Sequence, residues 1–313
     1  AGGGTAGGGT TGGGTTGGGT TGGSTITYGQ RVATTDLDYD NNGTTDATET
    51  ITYDTQGRVL QRRYVYTGDG TADRDALYGD EDETADFQYA DNERVSVETV
   101  TRARGDGYRI TLTYDANGRV DRIDEVVFGP AGATIDQAYT VHTYDGTGRM
   151  TDSVMNSANG SLRTRQTVTY DANGLPIESR RTAAPDQRWT YAWTSDGRIT
   201  REQHDVNDDA VFDRETVFTY DGSNRLASAV TTMAGLYAGQ PGRTETFTHD
   251  GGAMVRIDID LGSDGSIDAV HRLNYASATC QAIRVPVIFP FVTSNGYASQ
   301  PDANAPWRAW CAP

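Results

Sequence analysis

Through the middle of the chain apolar and polar residues alternate one for one. Ile110, Leu112 and Tyr114 are separated by Thr111 and Thr113, the period of a half-buried strand, written in β-favouring residues. The same alternation returns in Gln166-Thr167-Val168-Thr169-Tyr170 and in Thr216-Val217-Phe218-Thr219-Tyr220. After Tyr114 comes Asp115-Ala116-Asn117-Gly118-Arg119, then a second apolar set at Val120, Ile123, Val126 and Val127. An Asp that bonds backbone N–H groups, followed by a Gly for the positive-φ position, suits a type I turn with a bulge. The unit predicted is a β-hairpin.

Copies of it run along most of the chain. Tyr53-Asp54-Thr55-Gln56-Gly57-Arg58, Tyr144-Asp145-Gly146-Thr147-Gly148-Arg149 and Tyr170-Asp171-Ala172-Asn173-Gly174 are close to it. Tyr220-Asp221-Gly222-Ser223-Asn224-Arg225 puts Asn where Gly belongs, and Tyr89, Trp193 and His249 head degraded copies. Tyr275 ends the series. A repeat of a few tens of residues predicts units that bury one another's apolar faces. With its Tyr-Asp-x-x-Gly-Arg core and flanking Thr-x-Thr strand, the stretch from about Tyr53 to Tyr275 resembles the YD-repeat, or Rhs-repeat, family of bacterial secreted, cell-surface and toxin-associated proteins. The resemblance implies an all-β fold of tandem antiparallel β-hairpin repeats, forming a large twisted or spiralling sheet.

Composition agrees with a thin sheet. Hydrophobic residues make up 35% and mean hydropathy is -0.60, enough for a sheet with one buried face. The formal net charge of -17 argues against nucleic acid or anionic lipid as partners. It is compatible with Ca²⁺. All 26 basic residues are Arg, which forms bidentate pairs with carboxylates. No apolar run approaches the ~20 residues of a membrane-spanning helix, and the chain reads as a mature product after export.

Three segments are expected. Residues 1–24 are a Gly/Thr-rich stretch, either a flexible tether or an extended strand held by neighbouring subunits. Residues 25–275 form the repeat domain. Residues 276–313 are an irregular cap, in which Val285-Pro286-Val287-Ile288-Phe289-Pro290-Phe291-Val292 is the most apolar run and its prolines exclude a central strand. A disulfide between Cys280 and Cys311 would pin this cap, beside Trp307 and Trp310. The same run could instead dock into the next subunit.

The candidate chemistry lies in acidic loops. Asp38-Tyr39-Asp40-Asn41-Asn42-Gly43-Thr44-Thr45-Asp46-Ala47-Thr48-Glu49 matches the twelve-residue Ca²⁺ loop, with side-chain ligands Asp38, Asp40, Asn42, Asp46 and Glu49 and the Thr44 carbonyl. Gly43, Gly160, Ala210 and Gly265 each lie ten residues before a repeat tyrosine, so the loop belongs to the repeat. Asp205, Asn207, Asp209 and Asp213, and Asp260, Asp264 and Asp268, keep part of the set, with Thr216 and His271 at the twelfth position. A turn role for the Asp-Gly pairs explains the register equally well without metal. The acidic stretch Asp69 to Asp86 reads as a solvated insertion.

Trp189, Tyr191 and Trp193 alternate on one strand, as a packed face or as a ligand-stacking platform. His142, His204, His249 and His271 have no zinc-like spacing, and no nucleophile elbow or phosphate loop is present. The reading is a non-catalytic structural protein, secreted or at a bacterial cell surface, with Ca²⁺-stiffened turns. It would polymerise into a fibre through residues 1–23 and 285–292. The alternatives are an adhesin or receptor for a glycan or host ligand on a Gly/Thr stalk, and an Rhs-like component of toxin delivery.

Overall fold

The alternating stretches become strands throughout, in a computed structural model that describes residues 27–67, 82–91, 94–182, 185–250, 253–281 and 311–312, with side chains from 31 to 276. The Gly/Thr stretch, the apolar run 285–292 and the side chains of Cys280 and Cys311, hence the disulfide, lie outside the described residues. So does most of the acidic insertion.

Among the described residues eighteen strands follow one another, from β1 (Thr27–Asp38) and β2 (Ala47–Tyr53) to β17 (Ala253–Leu261) and β18 (Ala269–Gln281). A two-residue β19 (Cys311–Ala312) pairs with Gln30 and Arg31 of β1. No α-helix occurs among the described residues, only 3₁₀ turns at Pro130–Gly132 and Gly235–Tyr237. Each strand pairs antiparallel with the next, as β6 (Gly107–Tyr114) does with β7 (Val120–Phe128). The expected twisted or spiralling sheet is corrected here: β1 also pairs with β18, so the sheet closes into an antiparallel barrel.

The register explains the closure. Within the hairpins Tyr53 faces Val59, Tyr114 faces Val120 and Tyr220 faces Leu226. Across the seam Tyr275 faces Val32 in the same way. The two ends of the chain thus supply the halves of a ninth hairpin whose turn is missing. One consequence is that β18 runs on to Gln281, so residues 276–281 belong to the sheet and not to a separate cap.

The repeat sequence is a set of interlocking contacts. Asp115 Oδ1 accepts the backbone N–H groups of Asn117 (2.8 Å) and Arg119 (2.9 Å), while Oδ2 accepts Arg119 Nε (2.7 Å). Asp54, Asp145 and Asp221 hold Arg58, Arg149 and Arg225 in the same way. Those bonds from N–H groups hold the carboxyls of Asp54 and Asp115 below the ordinary range against the cost of burial, and carry Asp221 down to about 2. The clamped guanidinium then lies over the next repeat tyrosine: Arg58 over Tyr89, Arg94 over Tyr114 and Arg119 over Tyr144, at 4.4–5.0 Å. Each tyrosine hydroxyl in turn donates to the carbonyl that opens the second strand of the preceding hairpin. Tyr89 reaches Val59, Tyr114 Val95, Tyr144 Val120 and Tyr275 Met254, at 2.5–2.8 Å. Trp193 substitutes its Nε1–H, 2.6 Å from the Pro176 carbonyl. Tyr53 closes the ladder through Val32 (2.7 Å), with Arg31 over its ring.

The Asp-x-x-Gly-Arg turns share one rim and the longer connections the other. Between them one face of the sheet is buried and the other is polar. On β2 Ala47, Glu49 and Ile51 are buried while Thr48, Thr50 and Thr52 face outward. On β10 (Leu162–Tyr170) Gln166 and Val168 are buried between exposed Arg165, Thr167 and Thr169. With no helix or second sheet over it among the described residues, the buried face is the inside. Its apolar part groups Val32, Ile51, Val100, Leu112 and Ile123 with the tyrosines, and Phe218 with Ala229 and Phe247. Between these, the inner face of β8 (Thr134–Tyr144) to β11 (Pro176–Thr182) is mixed, with polar Thr140, His142, Ser153, Gln166 and Ser179 beside Ala138, Met155 and Val168.

Candidate functional site

Three of the long-rim connections fold alike. In the first, Asp38 accepts the backbone N–H of Asn42 on Oδ1 and of Gly43 on Oδ2 (both 3.1 Å), and Asp46 Oδ2 accepts that of Tyr39 (2.7 Å). In the second, Asp205 takes Asp209 and Ala210, and Asp213 takes Val206. In the third, Asp260 takes Asp264 and Gly265, and Asp268 takes Leu261. The sixth position is left-handed in all three, at φ 89°, 70° and 93° for Gly43, Ala210 and Gly265. This is the fixed register read from the sequence, and Asp38, Asp46, Asp205 and Asp213 are almost fully buried by it.

Only the first loop gathers a cation-sized donor set among the described residues. Asp38, Asp40 and Asp46 each offer an oxygen within 4.8 Å of the others. Asn42 sits beside them, its Nδ2 donating to Asp40 Oδ2 (2.8 Å) and its Oδ1 accepting the Thr44 N–H (2.7 Å). The third position separates the loops: Asp40 becomes Asn207 in the second and Gly262, without a side chain, in the third. Asp38 and Asp205 are each paired with an arginine, Arg272 at 3.3 Å and Arg188 at 3.0 Å, and in the second loop Asp213 also accepts the Leu236 N–H.

Glu49, expected as the bidentate twelfth ligand, is not in this group. It points inward from β2, 3.5 Å from the Arg62 guanidinium. A loop that turns straight into a strand places its twelfth residue three residues along that strand, on the inner face. Asp46 at position nine reaches the cluster instead. Asp38, Asp40 and Asp46 are the residues that could hold a hard divalent cation, with Asn42 beside them.

The aromatic strand β12 (Gln187–Trp193) packs inward. Trp189 is buried and stacks on His204 at 4.2 Å between ring centroids and 11° between planes, so that face is already covered. Burial, with Arg214 beside it, pushes His204 down to about 4. His142 and His271 are also buried on the inner face, and His249 takes a repeat tyrosine's place opposite Met254.

No protein-family model and no curated protein sequence matches the chain. Solved structures resemble it in part. A porin-like protein from Bacteroides uniformis aligns over 78% of this chain and 98% of its own, at 11% identity and TM-score 0.42. The TcdB2-TccC3-TEV structure aligns over 74% of this chain at 14% identity and TM-score 0.27. The Tc holotoxin pore of Photorhabdus luminescens aligns over 74% at 15% identity and TM-score 0.27. This chain spans 14% of each of those toxin chains.

Proposed function

We propose that the protein is a non-catalytic module of a bacterial cell surface, a YD-repeat-like barrel carried on its Gly/Thr segment as a stalk. The observation that carries this reading is the seam: Thr27 of β1 pairs with Gln281 of β18, so both strands meet residues 26 and 282 at one rim, and the barrel between them is sealed. A fibre subunit joined through residues 1–23 and 285–292 would need both connectors to work from that single rim. Strand addition along the barrel wall is unavailable, because no edge is open there. Light scattering of the protein with and without residues 1–23 tests the choice: a stalked module stays a monodisperse monomer in both forms. Polymers that vanish on deletion would restore the fibre.

The outward Thr, Arg and Asp side chains support a barrel that stands in water. Membrane barrels alternate the other way, with an apolar band outside. Flotation with liposomes is expected to leave the protein in the soluble fraction.

Divalent-cation binding at Asp38, Asp40 and Asp46 belongs to the same reading. Ca²⁺ at 100 times its dissociation constant would add about 2.7 kcal/mol to stability, read as a rise in melting temperature over EGTA. Asp40→Ala removes a metal donor at the loss of the Asn42 bonds to Asp40, while Asp38 still holds the Asn42 and Gly43 N–H groups and Asp46 that of Tyr39. It should fold and lose the Ca²⁺ response; an equal response in this variant removes the metal.

A further inference from the structure

Inside the barrel nearly every guanidinium has a carboxylate. Arg62 lies 3.0 Å from Glu83, Arg102 3.3 Å from Asp106 and Arg214 3.3 Å from Glu202, and Arg243 pairs with Glu245. Arg62 pairs with buried Ile51 across β2 and β3, and the other three share a face with buried neighbours on their own strands. Arg181 is the exception. It stands on the inner face of β11, in step with fully buried Ser179 and between exposed Arg180 and Thr182. Among the described residues it has no ion pair, and its Nε is buried without an acceptor. Burial alone pushes this guanidinium down, with no carboxylate pulling it back. In a chain of net charge -17 a desolvated cation left without a counter-ion costs stability that a salt bridge would readily restore.

A second observation lies in the same row. The register aligns His142, Ser153, Gln166, Arg181 and Gln187 across five successive strands. His142 is 6% exposed, and neither ring nitrogen has a hydrogen-bond partner. A neutral imidazole needs one acceptor and one donor, and leaving both unmade costs about 1–3 kcal/mol each. Gln166 and Ser179 join each other at 2.6 Å, which spends one amide donor and leaves the amide oxygen. At ~4.8 Å per strand the row spans about 14 Å from His142 to Arg181. Arg181 and Gln187 flank the β11–β12 connection, so the cationic end lies at the long rim.

We infer that this inner row binds a sugar acid: a short oligosaccharide with a single carboxylate, the acid held by Arg181 and the hydroxyls by His142, Ser153, Gln166 and Gln187. One unpaired guanidinium takes one carboxylate, bidentately. Neutral groups that both donate and accept match hydroxyls, and the row is longer than one ring. The site does not depend on how the barrel is displayed.

Lactobionate and lactose serve as probes, because they are similar disaccharides of which only the first carries a carboxylate. Calorimetric titration of the full chain should give lactobionate at least a tenfold tighter dissociation constant than lactose, with inorganic phosphate weaker than lactobionate. Arg181→Met should erase that preference and melt no lower than the parent without ligand, since it removes an uncompensated charge. His142→Phe should weaken both sugars by a similar factor and keep the preference. Should Arg181→Met fail to fold, the Arg181 Nε–H resonance of the parent still reports, and must shift with lactobionate and not with lactose. Equal affinity for the two sugars, no binding of either, phosphate binding as tight as lactobionate, a preference that survives Arg181→Met, or an unmoved Nε–H resonance each overturns the proposal.

Discussion

Removing the hydroxyl of Tyr114 should cost about 0.5–1.5 kcal/mol, the net worth of one intramolecular hydrogen bond, because it donates to the Val95 carbonyl at 2.5 Å. Urea unfolding of Tyr114→Phe measures this. The repeat tyrosines also set an alkaline limit. Burial raises Tyr53, Tyr89, Tyr144 and Tyr275, the last two up to about 12. Above the unfolded value near 10 the folded chain holds protons that the unfolded chain has released. Stability is therefore fully present below pH 10 and declines as pH rises toward 12, which tyrosinate absorbance should show as one steep transition. His204 acts on the acid side. Its folded value of about 4 lies below the unfolded ~6.5, so the folded state binds fewer protons in between and stability falls as pH drops from 6.5 toward 4. A melting-temperature profile of His204→Phe should be flatter over that window than the parent's.

At the scale of the hairpin, the turn glycine is the position with least latitude. Gly118 has φ 76°, and a Cβ there would lie 2.9 Å from Arg94 Nη1. Gly118→Ala is expected to cost about 1–2 kcal/mol. Gly118→Asn should cost less, since Asn224 occupies the equivalent turn at φ 64°; paired urea curves of the two variants check the order. Such turns were legible in the sequence because their causes are local: an Asp, a Gly and an Arg within five residues, flanked by strict alternation. The closure was not, although Arg31-Val32 repeats the Arg58-Val59 ending, because the tyrosine that completes it is Tyr275. Of the acidic loop, the register of Asp38, Gly43 and Asp46 was readable and the direction of Glu49 was not, since the change from loop to strand decides which face it takes. The inner polar row stayed hidden for a related reason. Ser179 and Arg181 alternate with Glu178 and Arg180, and a strand polar on both faces gives no sign of which side is inside.

For the molecule as a whole, the pairing of β1 with β18 is what separates a barrel from a ribbon with two open edges. Val32 is 1% exposed, sits opposite Tyr275 and offers the carbonyl that Tyr53 uses. Val32→Asp buries a charge in the seam and should cost several kcal/mol. Its further effect should be on assembly: with the seam parted, two strand edges become available to other molecules, and light scattering is expected to register oligomers that the parent does not form.

The ninth hairpin also sets a clock. Its halves are far apart in sequence, as in the bond from Asn274 to Asp36 across 238 positions, so the ring cannot shut until β18 has left the ribosome. Contacts of such range are slow to form, and until then β1 has only β2 beside it. A chain built this way stays an open ribbon for as long as it is being made, and becomes a hoop only when β18 meets β1.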